Sequence, residues 1–351
     1  MNAIPPNPLL ELRKLGQSVW LDDIGRAMLD DGSLARLIEQ DGIAGVTSNP
    51  AIFANSMMKE PRYAQAVARL LPKVSSSMAL YEELALEDLG RAADLLRRNY
   101  DGTSGGDGFV SLEVSPHLAY DTAGSVAQGQ RLWRRLERPN AMIKIPGTEA
   151  GLPAIRELLT AGINVNVTLL FSPERYRAVA QAYFDALEAR LAARKPIERI
   201  ASVASFFLSR IDTHVDKVLD GLAASGQPAA RTLRGKAAIA SACRAYEIYE
   251  GLSASPRWEE LARRGARPQR LLWASTSAKD PTYSPIKYVG LGRPELRLER
   301  HIAEASDARE GLERLGVDLD AVAEQLEREG VAKFVEPFDR IQRWLEEQRS
   351  R

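Results

Sequence analysis

Short runs of apolar residues alternate along this chain with longer segments in which apolar residues recur at helical spacing. Because the short runs are apolar on both faces, they are typical of parallel strands that are covered by helices. The pattern predicts eight strands, at Ser18–Leu21, Gly42–Thr47, Phe109–Glu113, Ala141–Ile145, Ile163–Leu169, Ile200–Ser205, Arg270–Ala274 and Ile286–Val289. It predicts amphipathic helices at Gly32–Asp41, Pro61–Asn99, Ser125–Leu136, Ala150–Ala161, Pro173–Lys195, Ile211–Ala224 and Leu233–Leu252.

Strands that are each followed by a helix predict an α/β fold, the (β/α)8 TIM barrel. The long stretch after Pro61 predicts extra helices between strands 2 and 3. Residues 298–351 read as a charged, helical C-terminal extension with a break at Pro337. We expect residues 1–351 to form a single barrel domain with that extension.

The composition of the chain excludes several classes of function. Lys+Arg and Asp+Glu both number 47, so no overall positive field would hold nucleic acid or an anionic membrane. The single cysteine, Cys243, excludes an intrachain disulfide and a cysteine-rich metal site. His117, His214 and His301 lack ligand spacing. Neither a signal pattern nor an apolar stretch of membrane-spanning length is visible, so we expect a cytoplasmic protein.

Catalytic groups of a barrel project from the carboxyl ends of its strands. The fourth run sets Lys144 between branched apolar residues, where a lysine must extend to water, pair with an acid, or lose its proton. A neutral amine in a dry site can attack a ketone. A structural ion pair with Glu113 at the end of the third run explains the same pattern equally well.

Polar residues also end the first two runs. Asp22 and Asp23 follow the first, and Asn49 follows the second directly before Pro50. A buried carboxylate or amide there would suit a site. The alternatives are acids that begin a surface loop and an asparagine that begins a turn.

The fifth and later runs add hydroxyl, amide and basic groups. Asn164, Asn166 and Thr168 share one face, which favours an inward row that binds substrate hydroxyls over a solvent-facing edge strand. Arg210 follows the sixth run and suits a phosphate, unless it forms a surface salt bridge with Asp212. Ser275 and Lys279 follow the seventh run, where barrels often bind phosphate.

Several ordered motifs together resemble the transaldolase family, in particular its longer bacterial branch. The resemblance covers about Leu9 to Val289 and returns in the tail at Glu329–Phe334. Its motifs are Ser18–Asp23, Gly45–Phe53, Val110–Val114, Met142–Thr148 and Gly162–Ser172.

The resemblance implies a role for each matching residue. Lys144 would be the Schiff-base lysine, Asp22 the proton-transfer acid, Glu113 the carboxylate that activates a water, and Thr168 the residue that holds it. The remaining matches imply contacts with the substrate or its phosphate, at Asn49, Asn166, Ser205, Arg210, Ser275 and Lys279. One departure follows Val289, where the extra loop of longer members, with its Asn-Thr-Met-Pro motif, is absent.

The implied reaction moves a dihydroxyacetone unit from sedoheptulose 7-phosphate to glyceraldehyde 3-phosphate. It gives erythrose 4-phosphate and fructose 6-phosphate, a step of the non-oxidative pentose phosphate pathway. The resemblance implies sugar phosphates as partners, no cofactor, and a monomer or homodimer. One alternative is a class I fructose-6-phosphate aldolase; by resemblance, Phe207 in place of a tyrosine argues against it. The other is a non-catalytic sugar-phosphate-binding barrel.

Overall fold

The computed structural model describes residues 7–288 and 299–350 of the chain. Within them, seven strands hydrogen-bond in chain order in one sheet, and the strand pairs with a defined register are parallel. This order, with helices between the strands, confirms the predicted (β/α)8 barrel class. The strands are β1 Trp20–Leu21, β2 Gly45–Thr47, β3 Phe109–Glu113, β4 Ala141–Pro146, β5 Val165–Leu170, β6 Ser202–Phe207 and β7 Arg270–Ala274.

Helices occupy most of the remaining described chain. Of those between β2 and β3, α5 and α6 are the extra helices that the sequence predicted after Pro61, whereas α4 was not predicted. The helices are α1 Pro8–Lys14, α2 Arg26–Asp30, α3 Ser33–Gln40, α4 Pro50–Lys59, α5 Arg62–Leu70, α6 Ser77–Gly102, α7 Thr122–Leu136, α8 Gly151–Ala161, α9 Pro173–Ala192, α10 Ser209–Ala224, α11 Ala237–Ser253, α12 Pro256–Arg263, α13 Glu299–Arg314 and α14 Leu319–Arg349.

Several helices start at signals that the sequence carries locally. The side chains of Asn49, Ser172 and Ser255 accept a backbone N–H at the starts of α4, α9 and α12, and each is followed by a proline. A side-chain cap satisfies a backbone donor that the helix leaves open, and a proline at the first position loses no hydrogen bond. Asn49 therefore begins a helix, α4, rather than only a turn.

The described chain forms two compact units. The first comprises Met1–Lys144, Ala161–Val165 and Ala332–Arg351, and the second comprises Ile145–Thr160 and Asn166–Val331. In the first, Leu80, Leu84 and Leu89 of α6 are fully buried. In the second, the buried core includes Tyr176 and Tyr183 of α9 and Phe206 of β6. The single-domain organisation stays a prediction.

Two predictions about the C-terminal part were wrong. Ile286–Tyr288 form a turn rather than the start of an eighth strand, and Val289 with the departure after it lies outside the described residues. The tail is helical as predicted, but α14 continues through Pro337 without a break. Phe334 and Phe338, which flank the proline, are 4% and 3% exposed. Helices in proteins are held mainly by such packing, which here offsets the loss of one backbone hydrogen bond.

Register explains why β3 and β4 matter most for function. Glu113 and Lys144 are paired positions on these neighbouring parallel strands. Both strands are buried along their whole length. Residues paired in this way lie side by side on the same face of a sheet, so the fold itself brings the carboxylate to the amine.

Candidate active site

Lys144 lies on β4 with only 3% of its surface exposed. Its Nζ donates a hydrogen bond of 3.0 Å to the backbone carbonyl of Ser48. The Glu113 carboxylate lies 3.7 Å away, and the ring of Phe334 has its centre 5.9 Å from Nζ. A carbonyl, a carboxylate and an aromatic face all favour a positive charge on the nitrogen. The same groups would stabilise an iminium cation formed there.

Glu113, on β3, is 5% exposed, and among the described residues neither of its carboxylate oxygens has a hydrogen-bond partner. Burial raises the pKa of Glu113 to about 7, against the opposing effect of the Lys144 charge and with a further rise from Asp22. Burial penalises the charged form of a carboxyl group. Glu113 can therefore gain or lose a proton near neutral pH, as a general acid or base must.

The distance between Lys144 and Glu113 bears on the two interpretations that the sequence left open. At 3.7 Å, Nζ and Oε2 are in ionic contact but beyond the length of a charged hydrogen bond, which is about 2.7–2.9 Å. A purely structural buried pair is stabilising only with close geometry and further hydrogen bonds to the carboxylate. Glu113 has no such bond within the described chain. The geometry therefore favours a working pair over a structural one.

Asp22 and Asn49 follow β1 and β2 in the same unit. Asp22 is exposed, as is Asp23 beside it, and the negative charge of Asp22 is among the causes of the raised pKa of Glu113. Asn49 is partly buried, and its Oδ1 accepts a 3.0 Å hydrogen bond from the Ile52 backbone N–H as the cap of α4. This bond occupies one of the two lone pairs of the amide oxygen of Asn49, so both that oxygen and the NH2 group can serve a substrate hydroxyl.

The three residues of the predicted polar row on the fifth strand, Asn164, Asn166 and Thr168, have different surroundings. Asn164 lies before β5, and its side-chain NH2 donates 3.1 Å hydrogen bonds to the backbone carbonyls of Pro139 and Ala141. It therefore supports the chain around the start of β4. Asn166, fully buried in β5, accepts a 2.7 Å hydrogen bond from the Ser205 hydroxyl on β6. Two residues predicted separately thus form one contact.

Thr168 is the most informative residue of β5. It is fully buried, yet within the described chain its Oγ1 has no hydrogen-bond partner. Its backbone carbonyl is occupied, because it accepts a 2.7 Å bond from the N–H of Gly147. A buried hydroxyl without a partner is costly by about 1–3 kcal/mol. Such a group calls for a functional explanation, and a bound water or substrate atom supplies one.

Arg210 is the second residue of α10, directly after β6. Its guanidinium carbon lies 5.7 Å from the ring centre of Phe207. The sequence left a surface salt bridge between Arg210 and Asp212 as the alternative. Asp212 is only 2% exposed, so it is not a surface residue and this alternative was wrong. The Asp212 carboxylate accepts hydrogen bonds from Lys287 Nζ at 2.7 Å and from the Tyr288 hydroxyl at 2.8 Å.

Ser275 and Lys279 follow β7. The Ser275 hydroxyl forms a 2.9 Å hydrogen bond with the hydroxyl of Ser209, the residue before Arg210. Ser275 has φ 53°, a left-handed conformation uncommon for a residue with a side chain. Lys279 is exposed, and its Nζ donates a 2.7 Å bond to the Ser277 hydroxyl. Ser275 thus lies beside the start of α10, whereas Lys279 extends from an exposed loop.

Comparison with known proteins shows the family of the chain. Residues 19–345 match the model of a family described as transaldolase/fructose-6-phosphate aldolase. The chain belongs to this family. A transaldolase of Thiobacillus denitrificans is 44% identical over 345 residues, which cover 92% of this chain and 95% of the relative. Transaldolase 2 of a Nostoc species is 42% identical, with 97% of each chain covered. A transaldolase of Saccharopolyspora erythraea is 44% identical, with 96% of each covered.

Membership confirms the resemblance, and the structure adds residues that the sequence pattern did not single out. Ser48 provides the carbonyl that receives the Lys144 amine. Phe334 lies near the same amine although it is remote in sequence. Its position in the tail motif Glu329–Phe334 was the only local signal. No pattern could have identified the Ser48 carbonyl, since every residue has one.

Two further findings concern metal binding and membrane-spanning helices. Among the described residues no group of histidine, cysteine, aspartate or glutamate side chains could hold a metal ion. Within the same ranges, no helix is both long enough and apolar enough to cross a membrane.

Proposed function

We propose that this protein is a transaldolase that carries a dihydroxyacetone unit as a Schiff base on Lys144. The donor is sedoheptulose 7-phosphate and the acceptor is glyceraldehyde 3-phosphate. The products are erythrose 4-phosphate and fructose 6-phosphate. The observation that carries the proposal is the buried Lys144 amine, bonded to the Ser48 carbonyl and 3.7 Å from a carboxylate that titrates near neutrality.

The reaction begins when the Lys144 amine attacks the ketone of the donor. Loss of water gives an iminium cation, which the Ser48 carbonyl and the Glu113 carboxylate stabilise. Asp22 takes the proton of the donor hydroxyl next to the bond that breaks. The electron pair of that carbon–carbon bond then moves toward the iminium nitrogen, the aldehyde product leaves, and an enamine of three carbons remains on Lys144.

Transfer reverses these steps with a new aldehyde. The enamine carbon forms a bond to the acceptor carbonyl carbon, and the acceptor oxygen takes the proton back from Asp22. A water held by Thr168 and activated by Glu113 then adds to the iminium carbon, the carbon–nitrogen bond breaks, and the ketose product leaves the free amine. The Thr168 hydroxyl, which has no partner among residues 7–288 and 299–350, and the raised pKa of Glu113 support these two roles.

Substrate binding falls to the remaining predicted residues. We assign substrate hydroxyls to Asn49, Asn166 and Ser205, of which the last two are already joined at 2.7 Å. Arg210 is assigned the phosphate because a guanidinium binds it in two-pronged fashion. Ser275, which lies beside the start of α10, is assigned a supporting contact with the same phosphate. Lys279 contributes less, since its amine bonds an exposed serine.

A trapping experiment tests the lysine. The protein is incubated with fructose 6-phosphate, reduced with borohydride and digested, and the adduct is located by peptide mass. We expect the adduct on Lys144 and none in Lys144→Met, which keeps the length of the side chain without the amine. An adduct on another lysine, or none, would contradict the mechanism.

A second measurement separates transaldolase from aldolase and from a non-catalytic binding protein. Erythrose 4-phosphate is added with fructose 6-phosphate, and the products are followed by mass spectrometry. A transaldolase forms sedoheptulose 7-phosphate with little free dihydroxyacetone. An aldolase releases dihydroxyacetone whether or not the acceptor is present, and a binding protein consumes neither sugar.

A further inference from the structure

The C-terminal segment of α14 lies against the reactive lysine. Phe334, on this segment, is 4% exposed, and its ring centre is 5.9 Å from Lys144 Nζ. Phe338, one helical turn further, meets the ring of Tyr81 edge-on at 5.3 Å and 82°. Tyr81 in turn meets Phe53 edge-on at 5.8 Å. We call Phe53, Tyr81 and Phe338 the aromatic cluster, which holds α14 one helical turn beyond Phe334.

The cluster is fixed in place by contacts on both sides of Phe338. Asp339 pairs with His117 at 2.7 Å, and the His117 ring is 5.9 Å from that of Phe338. Near the end of α14, Arg349 donates a 2.8 Å hydrogen bond to the backbone carbonyl of Ser75. Edge-to-face aromatic pairs are each worth about 0.5–1.5 kcal/mol beyond their buried area. The segment is therefore anchored along its length rather than resting loosely on the site.

The aromatic cluster also lies within reach of the charge of Glu113. Burial raises the pKa of the Tyr81 hydroxyl far above its ordinary range, and the next cause is the negative charge of Glu113. Tyr81 is 5% exposed and sits between Phe53 and Phe338. The segment of α14 that carries Phe334 and Phe338 is thus near the Lys144 amine and, through Tyr81, within reach of the Glu113 charge.

We propose that Phe334 is a positioning residue that shields the three-carbon intermediate on Lys144 and determines how much of it is transferred rather than released. This inference rests on the proposed transaldolase function. An aromatic face near the nitrogen stabilises the iminium cation, while its apolar bulk restricts the access of water.

The competing reaction that Phe334 opposes can be written in full. Water donates a proton to the enamine carbon, which converts the enamine into an iminium of dihydroxyacetone. The hydroxide left by that water adds to the iminium carbon, its proton passes to the nitrogen, and the carbon–nitrogen bond breaks. Free dihydroxyacetone leaves and Lys144 returns to its starting state. Both steps need water beside the intermediate before the acceptor aldehyde arrives.

The test is the ratio of free dihydroxyacetone to sedoheptulose 7-phosphate formed from fructose 6-phosphate and erythrose 4-phosphate. We expect Phe334→Ala to raise this ratio about tenfold, the effect of a change of about 1.4 kcal/mol in relative barrier height. The ratio compares two products of the same folded enzyme, so partial unfolding does not alter it. Phe334→Leu keeps an apolar side chain but no aromatic face, and we expect a rise of about threefold. If the alanine variant does not fold, the leucine variant decides.

Phe184→Ala and Phe184→Leu are matched controls. Phe184 is also 4% exposed and stacks on Trp258 at 5.3 Å, so its truncation removes a comparable buried ring. We expect both control variants to keep the wild-type ratio. An unchanged ratio in the Phe334 variants, with the adduct still on Lys144, would overturn the inference alone, and so would an equal rise in the Phe184 variants. Failure of the wild-type protein to form that adduct would instead overturn the proposed function.

Discussion

Glu113 and Lys144 occupy paired positions on two neighbouring parallel strands, with Oε2 and Nζ 3.7 Å apart and both side chains almost fully buried. This distance is longer than a charged hydrogen bond, and burial is the largest cause of the raised pKa of Glu113. Stability and activity should therefore both depend on the protonation of Glu113.

We expect Lys144→Met to destabilise the fold and the double variant Lys144→Met/Glu113→Gln to recover much of the loss. Removing one partner of a buried pair leaves an uncompensated charge, at a cost of roughly 3–5 kcal/mol if the other stays ionised. A glutamine at position 113 carries no charge. Chemical denaturation of Lys144→Met, Glu113→Gln, the double variant and the wild type at pH 8 measures the coupling. Equal losses in the single and double variants would contradict it.

The same measurement has a pH dependence with a defined sign. Because the folded-state pKa of Glu113 is raised to about 7 from an ordinary value of 4.5, the folded state binds its proton more tightly. The stability contributed by this group is fully present below pH 4.5 and is lost as the pH rises through 7. In Lys144→Met the opposing charge is gone, so the loss of stability should be smaller at pH 5 than at pH 8.

The pH profile of kcat/KM should rise through an ionisation near 7 that belongs to Glu113 in the free enzyme. A carboxylate that activates water must be deprotonated. Glu113→Gln should remove this step and lower the rate by about 10²–10⁴-fold. A profile that keeps its step in Glu113→Gln would assign the ionisation to another group.

Asp22 and Asp23 provide a matched comparison. Asp22→Asn should move the Glu113 step to lower pH, because it removes a negative charge that raises the pKa of Glu113. It should also lower the rate by about 10²–10⁴-fold if Asp22 transfers the proton. We expect Asp23→Asn to leave both the step and the rate close to wild type. The reverse result would transfer the proton-transfer role to Asp23.

Thr168→Val should lower the transfer rate by about tenfold with little loss of stability. The methyl group has the shape of the hydroxyl, and the bond lost is the one to the water, worth about 1–1.5 kcal/mol. Thr148→Val is the control, because Thr148 is equally buried but its Oγ1 accepts a 3.0 Å bond from the Gly151 N–H. That change removes one of the two acceptors of the Gly151 N–H, which also donates to the Thr148 backbone carbonyl at 3.0 Å, and it should cost about 0.5–1.5 kcal/mol of stability with little effect on the rate. Activity assays and denaturation curves for both variants distinguish the two signatures.

Arg210→Gln should raise the KM for fructose 6-phosphate by about tenfold to a hundredfold, because hydrogen bonds to a charged group are worth about 1.5–3 kcal/mol. Unphosphorylated fructose should show no such change. Lys279→Gln should have an effect below about threefold, since Lys279 is exposed and bonded to Ser277. Steady-state kinetics with both sugars measure this. Equal losses on the two sugars would show that Arg210 does not bind the phosphate.

Much of the fold was readable from local pattern. The bounds of β3 and β7 agree with the prediction residue for residue, because a short apolar run bounded by polar residues directly indicates a buried strand. The fifth and sixth strands begin two residues later than predicted, at Val165 and Ser202. Pattern alone does not determine where pairing starts, since that depends on the neighbouring strand. The predicted eighth strand at Ile286–Tyr288 is a turn, which its apolar residues did not reveal.

The sequence by itself singled out Lys144 and Glu113 as candidates for the chemistry of this protein. A lysine inside an apolar strand and a glutamate that ends the strand before it stand out because burial of either is costly without a partner or a role. Only the tertiary structure decided what surrounds them: the Ser48 carbonyl, the ring of Phe334, and the separation of Asn164 from Asn166. Periodicity reports which face of an element is buried. It carries no information about which distant residue fills the space against that face, and this is set by the packing of the whole chain.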